Sequence, residues 1–432
     1  MRKSFHRAIG LVVILALIFS GCGGGSGNGG ASAGTTPPTS SETATQPDQD
    51  QPAIPPIANT VSVSNETELR SAVASVGDAH TNIELTANIE LVSDFNIPSG
   101  SYITLSSAGA NTHSLIATRA MNVITVDSNA TLTIDGIDVT HNYQGGVMNT
   151  VVNNGNLILN AGAVGGHSNN GITNGGTLTM NGGRIVGYAR GTSTAVQNRG
   201  TFVLNNGEIT GIGVFQQIQG WTSYPNGVVV ESGSFTMNSG SINGTAVGVD
   251  IRSGEFILHG GTIHDNNSYG VHTSGRFTMY DGVISRNSSG VRNFQGHFTL
   301  NGGEISDNRH DNSRLLNFGG GVTVYANFTM NGGIISGNAA GPNEGNTGGG
   351  VYVRGGAFTM YDGVISGNTA GTGESTGGGV YVGNGTFTIS GGWIFDNMAQ
   401  RDSDVHIASR ATFNNNIFDS SQGAIGNGPS GS

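Results

Sequence analysis

The chain has a single cysteine, ten prolines and two tryptophans in 432 residues, and only 10% of its side chains are charged. An ordinary globular protein carries about 25% charged residues. The lone thiol, Cys22, excludes an internal disulfide and any zinc site built on paired cysteines. A net charge of -11 opposes a polyanion, so no nucleic-acid partner is expected. No motif points to a cofactor or a metal. Glycine, by contrast, fills 74 of the 432 positions. It does not recur at every third residue, which excludes a collagen helix. Hydrophobic residues make up 35%, little for one thick core but enough for a thin, elongated one.

The first 22 residues have the pattern of an export signal. Arg2, Lys3 and Arg7 precede an uncharged apolar run, Ile9 to Phe19. That run is too short to span a bilayer, which takes about 20 residues, and its basic start is that of a secretory signal. It ends Phe19-Ser20-Gly21-Cys22, small residues before the only cysteine. This junction resembles a bacterial lipoprotein processing site, although Phe19 stands where that family has Leu. The resemblance implies removal of 1–22 up to a lipidated Cys22, with the membrane as partner through the lipid. Residues 23–58 are Gly, Ser, Thr, Pro and Gln and cannot bury enough apolar surface to fold. They are expected to form a flexible tether with a reach on the order of 35 Å.

Beyond the tether one motif repeats. FTMYDG occurs at 277–282 and 358–363, FTLNGG at 298–303, FTMNGG at 328–333 and FTISGG at 387–392. The shortest spacing between leading residues is 21, from Phe235 to Phe256, Phe277 and Phe298. Apolar residues alternate with period two inside each unit, so Phe277 and Met279 face one way and Thr278 the other. Each unit gives three very short strands separated by Gly or Asn turns. One unit cannot bury its apolar face alone, whereas a stack can. Three strands per turn and a rise near 4.8 Å describe a parallel β-helix of about fourteen coils. Three columns support it: Gly five residues after each lead, Ile two further on, and then an Asn ladder of Asn266, Asn287, Asn308, Asn338, Asn368 and Asn397. The Gly column implies a tight turn, the Ile column a core ladder, and the Asn column a corner tolerating left-handed backbone.

These repeats resemble the right-handed, pectin-lyase-like parallel β-helix family, and most closely the Gly-rich repeats of bacterial surface lipoproteins. The resulting expectation is an all-β, right-handed, three-stranded solenoid over 59–420 with a short N-terminal capping helix at 66–76. Asn65 and Glu68 fit a capping box, and Leu69, Ala72, Val73 and Val76 follow at helical spacing. Residues 421–432 are expected to form a loose tail.

The resemblance also implies acidic-polysaccharide lyases and hydrolases, whose clustered acids work by acid–base chemistry, often with calcium. No outward column places two acids on adjacent coils: Asp265 and Asp307 lie two coils apart with Arg286 between. No catalytic residue is therefore assigned. Two binding candidates remain. One is the outward strip Asp250, His272, Arg292, Tyr352 and Tyr381, where polar groups precede aromatics able to stack a sugar. The other is the longest insertion, about 211–227, with Phe215, Trp221 and Tyr224. All long insertions fall at one corner of the coil, and loops on one face of a solenoid often bind. The expected function is a lipid-anchored envelope protein, on the outer membrane or cell surface, that displays a rigid β-helix as an adhesin for a surface glycan or protein. A polysaccharide lyase or hydrolase is the alternative.

Overall fold

A computed structural model describes residues 54–143, 148–166, 170–189, 193–216, 221–309, 319–341, 348–371, 375–417 and 423–425. The chain divides into Met1–Ala53 and Ile54–Ser432. Cys22 lies outside the described residues, and the structure below concerns the second unit.

The period-two alternation produces parallel strands stacked coil on coil. In Arg276–Met279, Phe277 and Met279 are fully buried and Thr278 is half-buried. Phe277 pairs with Phe256 on one side and Phe298 on the other. Rings from Phe202 to Phe387 stack with centroids 4.6–5.0 Å apart, close to the strand spacing. A second ladder carries the Ile column, as in Ile284↔Ile305↔Ile335, all fully buried. Both ladders belong to one 27-stranded sheet, and further strands stack in parallel in a 13-stranded sheet. The molecule is thus an all-β parallel solenoid with one helix among the described residues. Complete turns number about thirteen, the strand count of the second sheet. The expected fourteenth is an end coil, since Ala411–Asn415 and Gly423–Ile425 join the large sheet with no following strand in the second among the described residues.

The Gly column marks the turn between the two large ladders. Gly303 has φ 80°, and a Cβ there would stand 2.7 Å from the Gly282 carbonyl oxygen. Both backbone freedom and close coil approach therefore require glycine. The Asn corner works differently from the expectation. Left-handed backbone falls one residue before the Asn, at Asp265, Arg286, Asp307 and Asp396, with φ between 52° and 54°. The Asn side chains turn inward and are buried.

The helix spans Glu66–Ala74 with Ser75 as its C-cap, two residues short of the expected end, and the next N–H, that of Val76, bonds back three residues to Val73 instead of four. Asn65 Oδ1 accepts from the Glu68 N–H at 3.0 Å. The Glu68 carboxylate reaches past Asn65 to accept from the Ser64 N–H at 2.7 Å. Leu69, Ala72 and Val73 join the hydrophobic core. At the other end Val405, Ile407, Phe413 and Ile425 are only partly buried. Three residues of the expected tail, Gly423–Ile425, pair with Gly392–Ile394 and extend the Ile ladder.

Candidate functional site

Two surfaces bring the chemistry-bearing residues together. The first is the outer face of the 13-stranded sheet. Register aligns Asp250↔His272, His272↔Arg292, Arg292↔Thr323, Thr323↔Tyr352 and Tyr352↔Tyr381. Asp250 Oδ1 meets His272 Nδ1 at 2.9 Å. Arg252 Nε donates to Asp250 at 3.2 Å, and its Nη1 to Glu231 at 3.3 Å. Glu231 also accepts from Arg199 at 2.6 Å. Burial pushes the Asp250 carboxyl up, but the His272 bond and the charges of His272 and Arg252 outweigh it and hold it below its ordinary value. Glu231 is lowered in the same way, burial being outweighed by bonds from Gln197 and Arg199. Glu231 and Asp250 are the adjacent-coil acids that scanning single columns misses. They stand in neighbouring columns and share Arg252.

Arg292 lies among three aromatic rings, with its guanidinium carbon 5.5 Å from the Tyr269 centroid, 5.2 Å from Phe294 and 5.4 Å from Tyr325. Such contacts are worth about 0.5–2 kcal/mol each. Burial raises the Tyr269 hydroxyl, and the Arg292 charge opposes that shift. Spacing along the outward column shows Arg292 but not these rings, which sit on neighbouring columns. Tyr352 corrects the expectation of two stacking tyrosines. It is only 9% exposed, and its ring meets Tyr381 edge-on at 5.3 Å. A Cβ on Gly348 would stand 2.8 Å from the Tyr352 Cβ and one on Gly383 3.3 Å from its ring, while Tyr381 is half-buried. The Tyr381 ring stacks flat on His406 at 5.1 Å.

The second surface is the insertion corner, between the Ile ladder and the 13-stranded sheet. The long insertion forms an antiparallel pair, Val214–Gln216 with Trp221–Ser223, where the other strand pairings among the described residues are parallel. The side chains of Phe215 and Trp221 lie outside the described residues. Tyr224, at the base of the pair, is half-buried and walls a cavity of about 490 Å³. Asp265, Arg286 and Asp307, the left-handed corner residues, form its floor with Asn267 and Ser288. Arg286 grips Asp265 through Nε at 3.0 Å and Nη2 at 2.9 Å. That bidentate bond, ahead of the His264 bond, holds the Asp265 carboxyl below its ordinary value and raises Arg286. The sequence showed these three residues as a column. It did not show that Tyr224, 41 positions before Asp265, lines the same recess.

Behind this corner runs the Asn ladder. Asn287 Nδ2 donates to Asn308 Oδ1 at 3.0 Å, Asn308 to Asn338 at 2.9 Å and Asn338 to Asn368 at 3.0 Å. The ladder begins where Thr245 Oγ1 donates to Asn266 and ends where Asn397 donates to Asp404 Oδ1. A second buried ladder, Asn153, Asn174 and Asn198, closes the far end of the 13-stranded sheet at 2.7 Å per step. Its signal in the sequence is an Asn at the end of three successive strands of that sheet.

Among the described residues no three His, Cys, Asp or Glu side chains gather as a metal site. No described helix is long and apolar enough to cross a membrane. No protein family, curated protein or solved structure matches the chain.

Proposed function

We propose that this is a lipid-anchored protein of a bacterial cell envelope that displays a β-helical rod for adhesion, binding a surface glycan or protein along its insertion corner. The three-strand, right-handed, pectin-lyase-like form of the solenoid belongs to the same proposal, as does the role of Glu66–Ala74 as a cover for the N-terminal coil. Solenoid ends need covers because open edges template aggregation. Anchoring rests on the basic start, the apolar run and the lone Cys22 after small residues.

One observation carries the binding half. The antiparallel arm after Ile212 and the longer connections after Arg309, Ala339 and Thr369 all leave the coil at one corner, while the other corners repeat with little change. A scaffold that varies at one edge presents that edge. Glu231 and Asp250 are both held by Arg252, which favours recognition over hydrolysis.

The full chain, expressed with its leader and purified in detergent, should bind on an array of envelope and host glycans and proteins. It should also enter the detergent phase on partitioning, and Cys22→Ala should not. Equal partitioning would remove the anchor, and a blank array would remove the adhesive role.

A further inference from the structure

We infer that the cavity under Tyr224 is a site for a neutral, polyhydroxylated sugar. The inference rests on the insertion corner being the binding face and names the ligand that face takes.

The cavity volume, about 490 Å³, falls in the range of small-molecule sites. Its lining is unusual for such a site because it is mostly polar. The charges alternate along the corner, Asp265, Arg286, Asp307 and Arg309, so the floor carries almost no net charge. Arg286 and Asp265 already neutralise one another by two hydrogen bonds. An anionic polymer would meet the carboxylates of Asp265 and Asp307, and a cationic ligand would meet Arg286 and Arg309. A hydroxyl ligand meets no such conflict. It donates to carboxylates and accepts from guanidinium or amide groups, and the floor offers both kinds in alternation. Ser288 Oγ donates to the Asn267 carbonyl at 2.8 Å, leaving the Ser288 oxygen to accept.

Tyr224 supplies the apolar element. An aromatic ring beside a polar floor suits a pyranose, which has an apolar C–H face and a hydroxylated rim. The ring is pre-positioned, since a Cβ on Gly213 would meet Tyr224 Cε1 at 2.6 Å. The floor is fixed as well. The αL residues are seated by the buried Asn ladder directly behind them, as in Asn287 N–H to Asn308 Oδ1 at 3.0 Å. A built floor and a held ring give a site at which little order is lost on binding.

The test titrates the full chain with neutral oligosaccharides (gluco-, manno- and N-acetylglucosamine series) and with oligogalacturonate, read by saturation-transfer NMR and calorimetry. At least one neutral series should bind, and oligogalacturonate should bind at least tenfold more weakly or not at all. Tyr224→Ala and Asp307→Asn should each weaken binding by on the order of tenfold, and Tyr361→Ala, at an exposed ring outside both surfaces, should not. Asp307→Asn keeps the fold testable, because Asn tolerates the left-handed backbone at this corner. No neutral binding, or neutral binding that survives both substitutions, would overturn the inference. A partner found on the array but insensitive to Tyr224→Ala would sink the sugar site while leaving the adhesive function intact.

Discussion

Asn338 donates to the Ile305 carbonyl at 2.8 Å and to Asn368 Oδ1 at 3.0 Å, and accepts from the Asn308 N–H and Nδ2 at 3.1 and 2.9 Å. Every partner is buried. Asn338→Ala therefore strands several polar atoms, each costing about 1–3 kcal/mol, and should lower the urea midpoint far more than Asn331→Ala. Asn331 makes the same amide bond to Asn301 at 2.8 Å but on the exposed face, where water replaces it. Equal effects of the two substitutions would mean the inner ladder is solvated. Ile305→Asp places a charge in the packed Ile ladder and should cost several kcal/mol, with new protease sensitivity between residues 280 and 335. His141 adds a pH dependence. Its Nε2 meets the Asn149 carbonyl at 3.2 Å, its Nδ1 is buried with no partner among the described residues, and burial holds its pKa below the ordinary 6.5. The unfolded chain takes up this proton first, so stability is full above about pH 6.5 and falls as pH drops toward the folded value. Urea midpoints of wild type and His141→Gln between pH 7.5 and 5.5 should show a shallower fall in the variant.

The coil is the level at which the sequence was most legible, because its columns are local and periodic. Phe, Ile and Gly recur at fixed offsets, and the structure aligns each column in register. Phe298 shows what one rung holds: its ring stacks at 4.7 Å on both Phe277 and Phe328. Phe298→Ala should cost about 3–5 kcal/mol, checked by thermal unfolding. What stayed hidden depends on neighbouring columns or on backbone dihedrals. The Asn-to-αL offset is such a case: Asp265 and Asp307 tolerate positive φ as readily as Asn does, so composition could not say which position was left-handed. The Glu231–Arg252–Asp250 bridges and the aromatic shell of Arg292 cross from one column to the next, which the period along a single column does not show. Tyr352 had the outward parity of its column but is covered by a corner that parity does not describe.

Along the rod each coil touches only its neighbours, so stability is a sum of coil and interface terms and damage stays local. Such a body can carry variable connections at one corner without disturbing its core, and that separates display from folding. The antiparallel arm offers the most direct check. Val214 pairs with Ser223, and Gly213 lies against Tyr224, so residues 214–223 can be removed by joining neighbours that already touch. The strand Asn226–Val230 that follows stays whole. Binding of the arm-deleted chain to the partner found on the array, compared with wild type at matched thermal stability, is the deciding measurement. Loss of most of the affinity is expected if the insertion corner is the adhesive face. Unchanged affinity would contradict it and move the contact to the sheet face of Asp250, His272 and Arg292.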